Sequence, residues 1–481
     1  MYPSLMTKKT IQGMHCLHLA ACHVSLSCYQ AIESLVFNGI SVEKREQHMK
    51  TLIDRNEITV LHCACSEGRK ELCMYLSNTY PSLMTQKDAD NTHCLHYAAE
   101  SGNSDCYKAM ESLVLKLILE EKREQYMATL TDMGGRTVLH GACVSGSKEL
   151  CLYLCNTYPS LVTKKDAEKK HCLHYATISG NLVCYKKMES LALNVDSEEK
   201  RKQYKATLTD IDERTVLHLA CLSGSEEICR YLCKTYPFLM KQTDTENNHC
   251  LHYTAKSGKL SCYKAMEYLV LKLIAEEKRE QYMTTLINMH KHTVLHEACS
   301  AGSQELCVYL SNTYPVLIEQ RDAENKLSLH YASESGNLGC YKTMENLVLK
   351  VNSEGNRKQY IATLTDIDES NVLHLACSSG SEEICRYLCY TYPFLMKQTD
   401  AENNHCLHFA ALSGNLNCYK AMESLVLKTI AEDKREQYMA TLTNVYKHTV
   451  LHKAYLSRNK DLCVYLCKTY PSLMVMMNAR F

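Results

Sequence analysis

Twenty-two histidines and twenty-eight cysteines are the side chains of this 481-residue chain best able to do chemistry, so their spacing is the first question. Twelve histidines directly follow a leucine: His18, His62, His96, His140, His174, His218, His252, His296, His330, His374, His408 and His452. Catalysis or metal binding is one reading of such a series. A structural role explains it more cheaply. An imidazole at the start of a helix can hydrogen-bond nearby backbone and the preceding threonine (Thr59, Thr137, Thr215, Thr293, Thr449), supplying partners for groups that folding removes from water. The sharper rival is His-Cys-Leu-His, found at His15, His93, His171, His249 and His405, with Leu327 interrupting the series. Structural zinc usually needs two ligand pairs separated by a loop long enough to close a tetrahedron. Three potential ligands within four residues offer only part of one set, and the first histidine stands where other copies have threonine, as a helix cap would. No metal and no cofactor is assigned.

The cysteines recur in register, as Cys65, Cys143, Cys221, Cys299 and Cys377, and again as Cys73, Cys151, Cys229, Cys307, Cys385 and Cys463. Equivalent positions on neighbouring helices would lie about 8–10 Å apart, beyond an unstrained disulfide. They read as reduced, small, buried apolar residues, with pairing inside one repeat left open. The sequence carries no phosphate-binding glycine loop and no Ser/His/Asp arrangement, so no catalytic residue is named and an enzyme is not expected.

The elements that must position these residues follow from the spacing itself. Intervals between successive Leu-His dipeptides alternate between 44 and 34 residues, a higher unit of 78. Tyr-Pro-x-Leu, beginning at Tyr2, Tyr80, Tyr158, Tyr236, Tyr314, Tyr392 and Tyr470, keeps the same step and contains every proline. Two residues past each His sits Ala in eleven copies, Thr254 being the exception, and six past it sits Gly in ten, from Gly68 to Gly414. Such a glycine fits a left-handed turn between two helices. Val24 and Arg458 replace it in the first and last copies.

The segments TVLHLACLSGS around His218 and HCLHYAAESGN around His96 resemble the ankyrin repeat, and the resemblance covers essentially the whole chain. It implies an all-α, ankyrin-type solenoid of paired helices joined by short hairpins. The expected organisation is a single array over 1–481. Its repeats lie near 14–57, 58–91, 92–135, 136–169, 170–213, 214–247, 248–291, 292–325, 326–369, 370–403, 404–447 and 448–481. Departures from the family pattern are informative. The proline before Leu-His is absent from all twelve copies, and the hairpin glycine is mostly replaced by Asn, Arg or charged residues, which puts the hairpin geometry in question and rests the turn on Asp and Asn side chains. In the 34-residue copies the second helix, as in Glu226 to Thr235, should stop before Tyr236-Pro237. The 44-residue copies carry ten extra residues after it. Gly39 with Ser41, Asn194 with Asp196 and Ser197, and Asn352 with Gly355 predict a break followed by a short third helix there. The other three copies, such as LIAEEKREQ from Leu273, would permit a continuous helix.

A single helix pair cannot bury its apolar face, so neighbours must stack, leaving a long exposed surface. Four residues past the His, identity varies beyond what packing would tolerate: Glu100, Val144, Ile178, Leu222, Lys256, Ser300, Glu334, Ser378 and Leu412 in the inner copies. By resemblance this position and the hairpin tips line the concave face that grips partners, so these nine residues are the candidate partner-binding set, and His62 through His408 of the Leu-His series are the structural set. Val144, Ile178, Leu222 and Leu412 weigh toward binding because adjoining exposed apolar residues mark interaction sites.

Bulk properties agree. Lys plus Arg and Asp plus Glu both total 54, giving no net charge and none of the basic footprint of a general nucleic-acid binder. No apolar run is long enough to span a membrane and no signal peptide is visible, which points to the cytosol or nucleus. The function expected is a non-catalytic scaffold or adaptor, monomeric, binding a protein of unknown identity. The alternatives are an ankyrin segment of a larger signalling or ion-channel polypeptide, because the chain begins at the tail of one repeat and stops where another would start, and a metal-responsive module using His-Cys-Leu-His.

Overall fold

The rule that builds each repeat starts at its hairpin. In the computed structural model, which describes residues 8–193, 198–351 and 357–478, one Asp210 carboxylate oxygen accepts the backbone N–H groups of Asp212 (3.1 Å) and Arg214 (2.9 Å). The same fork recurs at Asp54, Asp88 and Asp366, while the side-chain oxygens of Asn288 and Asn444 take its place in other copies. Closing the turn requires a left-handed residue three positions on. Gly135 fills it in one copy, but Glu213 and Lys291 adopt φ of 60° and Asn325 of 64°. A side chain there costs about 1–2 kcal/mol. The carboxylate fork offsets that strain, so the turn survives without its glycine. Tips are then tied in sequence: Met133 donates to the Asp90 carbonyl, Ile211 to Glu168 and Met289 to Glu246, each at 2.8 Å.

From the hairpin the chain enters a first helix of seven or eight residues, such as Val216–Ser223, turns, and returns along a second, Glu226–Thr235. The turn glycines from Gly68 to Gly414 all have φ between 63° and 76°, and Arg458 enters the same region at 57°. The second helix stops before Tyr236-Pro237 because proline has no N–H to continue the ladder, and Pro237–Lys241 forms a 3-10 turn instead. The Tyr2 motif, and the breakers Asn194, Asp196, Ser197, Asn352 and Gly355, lie outside the described residues.

The ten-residue insertions fold as separate helices, including Val42–Thr51, Glu120–Thr129 and Glu432–Thr441. Breaks occur even in copies whose sequence would permit a continuous helix, and the chain is extended at Ile118 and Ile430. Two contacts explain this. Arg123 and Arg435 reach back to the carbonyls of Ile118 and Ile430 at 3.3 Å, satisfying the acceptors that the break frees. The redirected helices then bury Met127 and Met439 completely, which a straight extension would carry away from the core.

The helices gather into two compact units, Met1–Thr245 and Glu246–Phe481. Within each, successive first helices pack on one another, as Val138–Ser145 does on Cys172–Ile178 and Val294–Ser300 on Ser328–Glu334. The core repeats as the sequence does: Tyr29, Tyr107 and Tyr185 in the first unit, and Tyr263, Tyr341 and Tyr419 in the second, are fully buried at equivalent places. Among the described residues there are isolated bridges such as Thr209 with Thr215 but no strand, and no helix long and apolar enough to cross a membrane. The fold class is all-α, a solenoid of helix pairs.

Two turn substitutions should act with opposite sign. Replacing Gly380 with Ala forces φ of 72° on a residue with a Cβ, placed 3.0 Å from the Asn415 Cβ, and should cost about 1–2 kcal/mol or more. Glu213→Gly relieves strain at an exposed tip and should stabilise by about 0.5–1 kcal/mol. Urea midpoints of the two variants measure both, and shifts of the same sign would remove the backbone argument.

Candidate functional site

Each Leu-His imidazole sits at the third position of its first helix. Its Nδ1 accepts the backbone N–H of the residue before the helix, from Thr137 to His140 at 2.9 Å, Thr215 to His218 at 3.1 Å and Leu327 to His330 at 3.0 Å. The same bond is made at His18, His62, His96, His174, His252, His296, His374, His408 and His452. A backbone N–H can only donate, so Nδ1 is bare and Nε2 carries the proton. In six copies that proton goes to a carbonyl further along the chain, as from His18 to Ile58, His96 to Arg136, His218 to Gln242 and His252 to His292. Nε2 of His62, His140, His174, His296 and His330 is instead buried without a hydrogen-bond partner among the described residues. Every ring thus closes its own helix entrance, and six of them also stitch it to the following segment. Burial pushes His96, His140, His252, His296, His330, His374 and His408 down to about 4, and His174 to about 3. A second proton would have to displace the bond at Nδ1.

In the His-Cys-Leu-His copies the first histidine caps the helix. Nδ1 of His93, His171 and His249 accepts the N–H of Leu95, Leu173 and Leu251 at 3.2 Å, and the paired cysteine sulfur lies 3.3–3.5 Å from that nitrogen. Both Nδ1 lone pairs of a motif are therefore committed to backbone, which leaves the pair no shared lone pairs for an ion. Sulfurs approach each other more closely than same-position spacing implies, because different helix positions meet: Cys65 with Cys73 at 3.7 Å inside one repeat, and Cys73 with Cys106 at 3.8 Å across two.

The candidate partner-binding residues fall on the faces formed by first helices and hairpins. In the first unit Glu100, Val144, Ile178 and Leu222 are exposed, the last three by 38–41% although apolar. Hairpin tips Met133 and Ile211 expose 68% and 52%. Glu100 lies 3.7 Å from Arg136, which also grips Asp132 at 2.6 Å. In the second unit Lys256, Ser300, Ser378 and Leu412 are exposed, whereas Glu334 is half-buried and bound to Lys326 at 3.4 Å. Lys256 and Ser300 line a polar cleft of about 180 Å³ with His290, His292, Glu297 and Tyr331.

His292 is the cleft's electrostatic centre, and position-by-position reading of the repeats missed it. Its ring lies between the Glu297 carboxylate (3.1 Å) and the Asp322 carboxylate (3.4 Å), with the Tyr331 hydroxyl at 2.8 Å. Burial acts to lower its pKa, but Asp322 and Glu297 overcome this and raise it to about 9. The signal was a local departure: the position of Glu297 carries a carboxylate in this copy alone, the other copies having Leu, Cys, Tyr, Phe, Gly or Lys there. A second missed set is the glutamate about two turns into each long second helix. Glu111 and Glu267 are buried and accept the hydroxyls of Tyr153 and Tyr309 from the next repeat.

The fold and this surface define a class of protein: a solenoid of helix pairs whose hairpins and first helices present a variable face. Profiles of the family described as ankyrin repeats match residues 17–113, 188–279 and 339–431, more than half of the chain, which belongs to the ankyrin-repeat family. Ankyrin repeats are protein-interaction modules, in general non-catalytic. Over 203 residues the chain is 25% identical to the transient receptor potential cation channel subfamily A member 1 homolog of Caenorhabditis elegans, a match covering 42% of this chain and 15% of that protein. Over 241 residues it is 23% identical to Protein ACCELERATED CELL DEATH 6 of Arabidopsis thaliana, covering 48% of this chain and 34% of the relative. The chain thus spans about a third or less of these relatives.

Two pH effects should run in opposite directions. Buried Leu-His rings such as His140 and His296 have folded pKa values below the ordinary 6.5, so the stability they lend is present above that pH and is lost as pH falls toward 4. Acid titration followed by circular dichroism should show steep unfolding in that range, and His218→Ala should cost roughly 1–3 kcal/mol at neutral pH; an unchanged denaturation midpoint would refute the assigned bond. His292 is raised, so its contribution is present below pH 6.5 and is lost as pH rises through about 9. His292→Gln should flatten the alkaline decline in stability over that window, and a decline identical to the parent's would locate the titrating group elsewhere.

Proposed function

We propose that the chain is a non-catalytic scaffold or adaptor, arranged as one array of twelve repeats, that holds a protein partner on the face made by its first helices and hairpins. The observation that carries this is the row Val144, Ile178 and Leu222, exposed apolar residues on three consecutively packed first helices, flanked by the exposed tips Met133 and Ile211. Apolar side chains adjoining one another in water cost free energy that a partner recovers. Charged pairs at the hairpins, Arg136 with Asp132 and Arg214 with Asp210, supply a polar rim. In the second unit the Lys256 and His292 cleft suits a polar side chain of the partner. The nine candidate residues are the proposed contact set. The twelve Leu-His rings, His62 to His408 among them, are structural. A cytoplasmic or nuclear monomer accords with this reading.

A second reading has one observation in its favour. The matched relatives carry comparable stretches inside much longer chains, one of them named as a cation channel. The repeats would then serve as the interaction segment of a larger polypeptide.

Affinity capture with the full chain tests the surface. A protein captured by the parent should be lost with Ile178→Glu plus Leu222→Glu at unchanged thermal midpoint, since a central contact is worth about 2 kcal/mol or more. It should be retained with Arg230→Glu on an exposed second helix. Lys256→Glu examines the cleft separately. Equal capture by all variants would move the contact off this face.

A further inference from the structure

Buried in the second unit, three thiols from three helices converge. Cys299 lies on Val294–Ser300, Cys307 on Gln304–Thr313 and Cys340 on Leu338–Val351 of the next repeat. The Cys299 and Cys307 sulfurs are 3.4 Å apart, those of Cys307 and Cys340 are 3.7 Å apart, and all three lie within 4.8 Å of one another. Among the described residues this is the group of potential metal ligands that closes on itself. Elsewhere the sulfurs form open chains: Cys143 contacts Cys151 at 3.8 Å, and Cys151 contacts Cys184 at 3.7 Å.

The register adds a second observation. Where other copies place Cys94, Cys172 or Cys406, this one has Ser328. In the equivalent repeats the Cys94 thiol interacts with Cys65, and that of Cys172 with Cys143, so the same register sets Ser328 beside Cys299. Its hydroxyl oxygen is buried and has no hydrogen-bond partner. An orphaned buried hydroxyl is unfavourable unless something binds it.

We propose that Cys299, Cys307 and Cys340 form a three-thiolate site for one tetrahedral d10 cation, Zn2+ in the first instance, with Ser328 at the fourth corner. The distances suit the ion. Bonds of about 2.3 Å in a tetrahedron set the sulfur–sulfur edge at about 3.8 Å, close to the two edges given above, so the site assembles by side-chain rotation without moving helices. Each ligating thiol releases its proton to solvent, which makes binding weaken as pH falls. The ion would fasten the repeat near 292–325 to the one near 326–369. This inference does not depend on the partner surface.

The test uses the reduced, metal-free full chain titrated with Co2+ and then Zn2+. The expected result is one equivalent of Co2+ per chain, with a thiolate-to-cobalt charge-transfer band and tetrahedral visible bands, all displaced by Zn2+. Cys340→Ser should remove the bands, and Cys151→Ser, in the first unit, should keep them. Ser328→Cys completes a four-sulfur set without emptying the core, and should raise the charge-transfer intensity by about a third. Absence of a charge-transfer band from the parent chain overturns the proposal, as does a spectrum unchanged by both Cys340→Ser and Ser328→Cys.

Discussion

Every first helix begins inside the protein, and a helix entrance presents backbone N–H groups that nothing in the helix can accept. In water this is harmless; in a stacked array it would leave a row of orphaned donors along the core. One imidazole per repeat resolves it. Nδ1 accepts the N–H at the entrance, and in six copies Nε2–H donates to a carbonyl further along. In those six copies the ring is used at both nitrogens and cannot also be a general base or a metal ligand. The feature that looks most chemical in the sequence is therefore occupied by the fold at Nδ1 in every copy.

The remaining architecture follows from making that arrangement repeatable. A seven-residue helix is too short to be stable alone, so its order comes from the helices stacked on either side and from the hairpin bonds that link tip to tip. Stability in such a chain is distributed as a sum over neighbours, and a strained position such as Glu213 is tolerated because its hairpin is fixed from both sides. The insertion helices extend the same logic. They clasp the next repeat's Tyr-Pro turn, Glu124 accepting the N–H of Ser160 at 3.1 Å and Glu436 that of Ser472 at 3.0 Å. Every second interface is therefore braced by an element that the shorter repeat lacks.

What could be read in advance was what is periodic along the chain. Helix pairs, turn glycines and the stop at Tyr-Pro are local, and each recurs often enough to separate signal from accident. The continuous helix that LIAEEKREQ permitted was not decided locally. Burial of Met283 and the reach of Arg279 to the Ile274 carbonyl at 3.4 Å select the break, and neither is visible in nearest-neighbour propensity. Cysteine spacing misled in a related way. Comparing like positions gave separations too large for contact, while unlike positions on adjoining helices bring Cys299, Cys307 and Cys340 together. His292 escaped notice because one of its partners, Asp322, is the ordinary hairpin aspartate and lies at the far end of the repeat, so only the fold brings it to the ring. Candidate contact residues were legible as variable positions, but Glu334 shows the limit: its variability reflects a pairing with Lys326 as much as a free surface.

The glutamates of the long second helices show how much a regular fold leaves undetermined. Burial raises the pKa of Glu33, Glu111, Glu267, Glu345 and Glu423, and tyrosine hydroxyls from the next repeat, such as Tyr387 at 2.5 Å from Glu345, favour the charged form. Beside each sits a buried apolar residue: Met49, Met127, Met283, Ile361 or Met439. At the sixth such place the chain has Lys205, wholly buried, its ammonium 3.0 Å from Glu189, hydrogen-bonded to Tyr185 and lying over the rings of Tyr185 and Tyr236. Burial lowers the lysine's pKa and Glu189 opposes that shift. A buried ion pair is often no more stabilising than the apolar residues it replaces, yet losing one partner alone costs several kcal/mol. Five repeats demonstrate the apolar solution in the same fold, so the solenoid does not require Lys205. Once present, however, the lysine pairs with Glu189 and makes this repeat the one where core packing and electrostatics can no longer be varied independently.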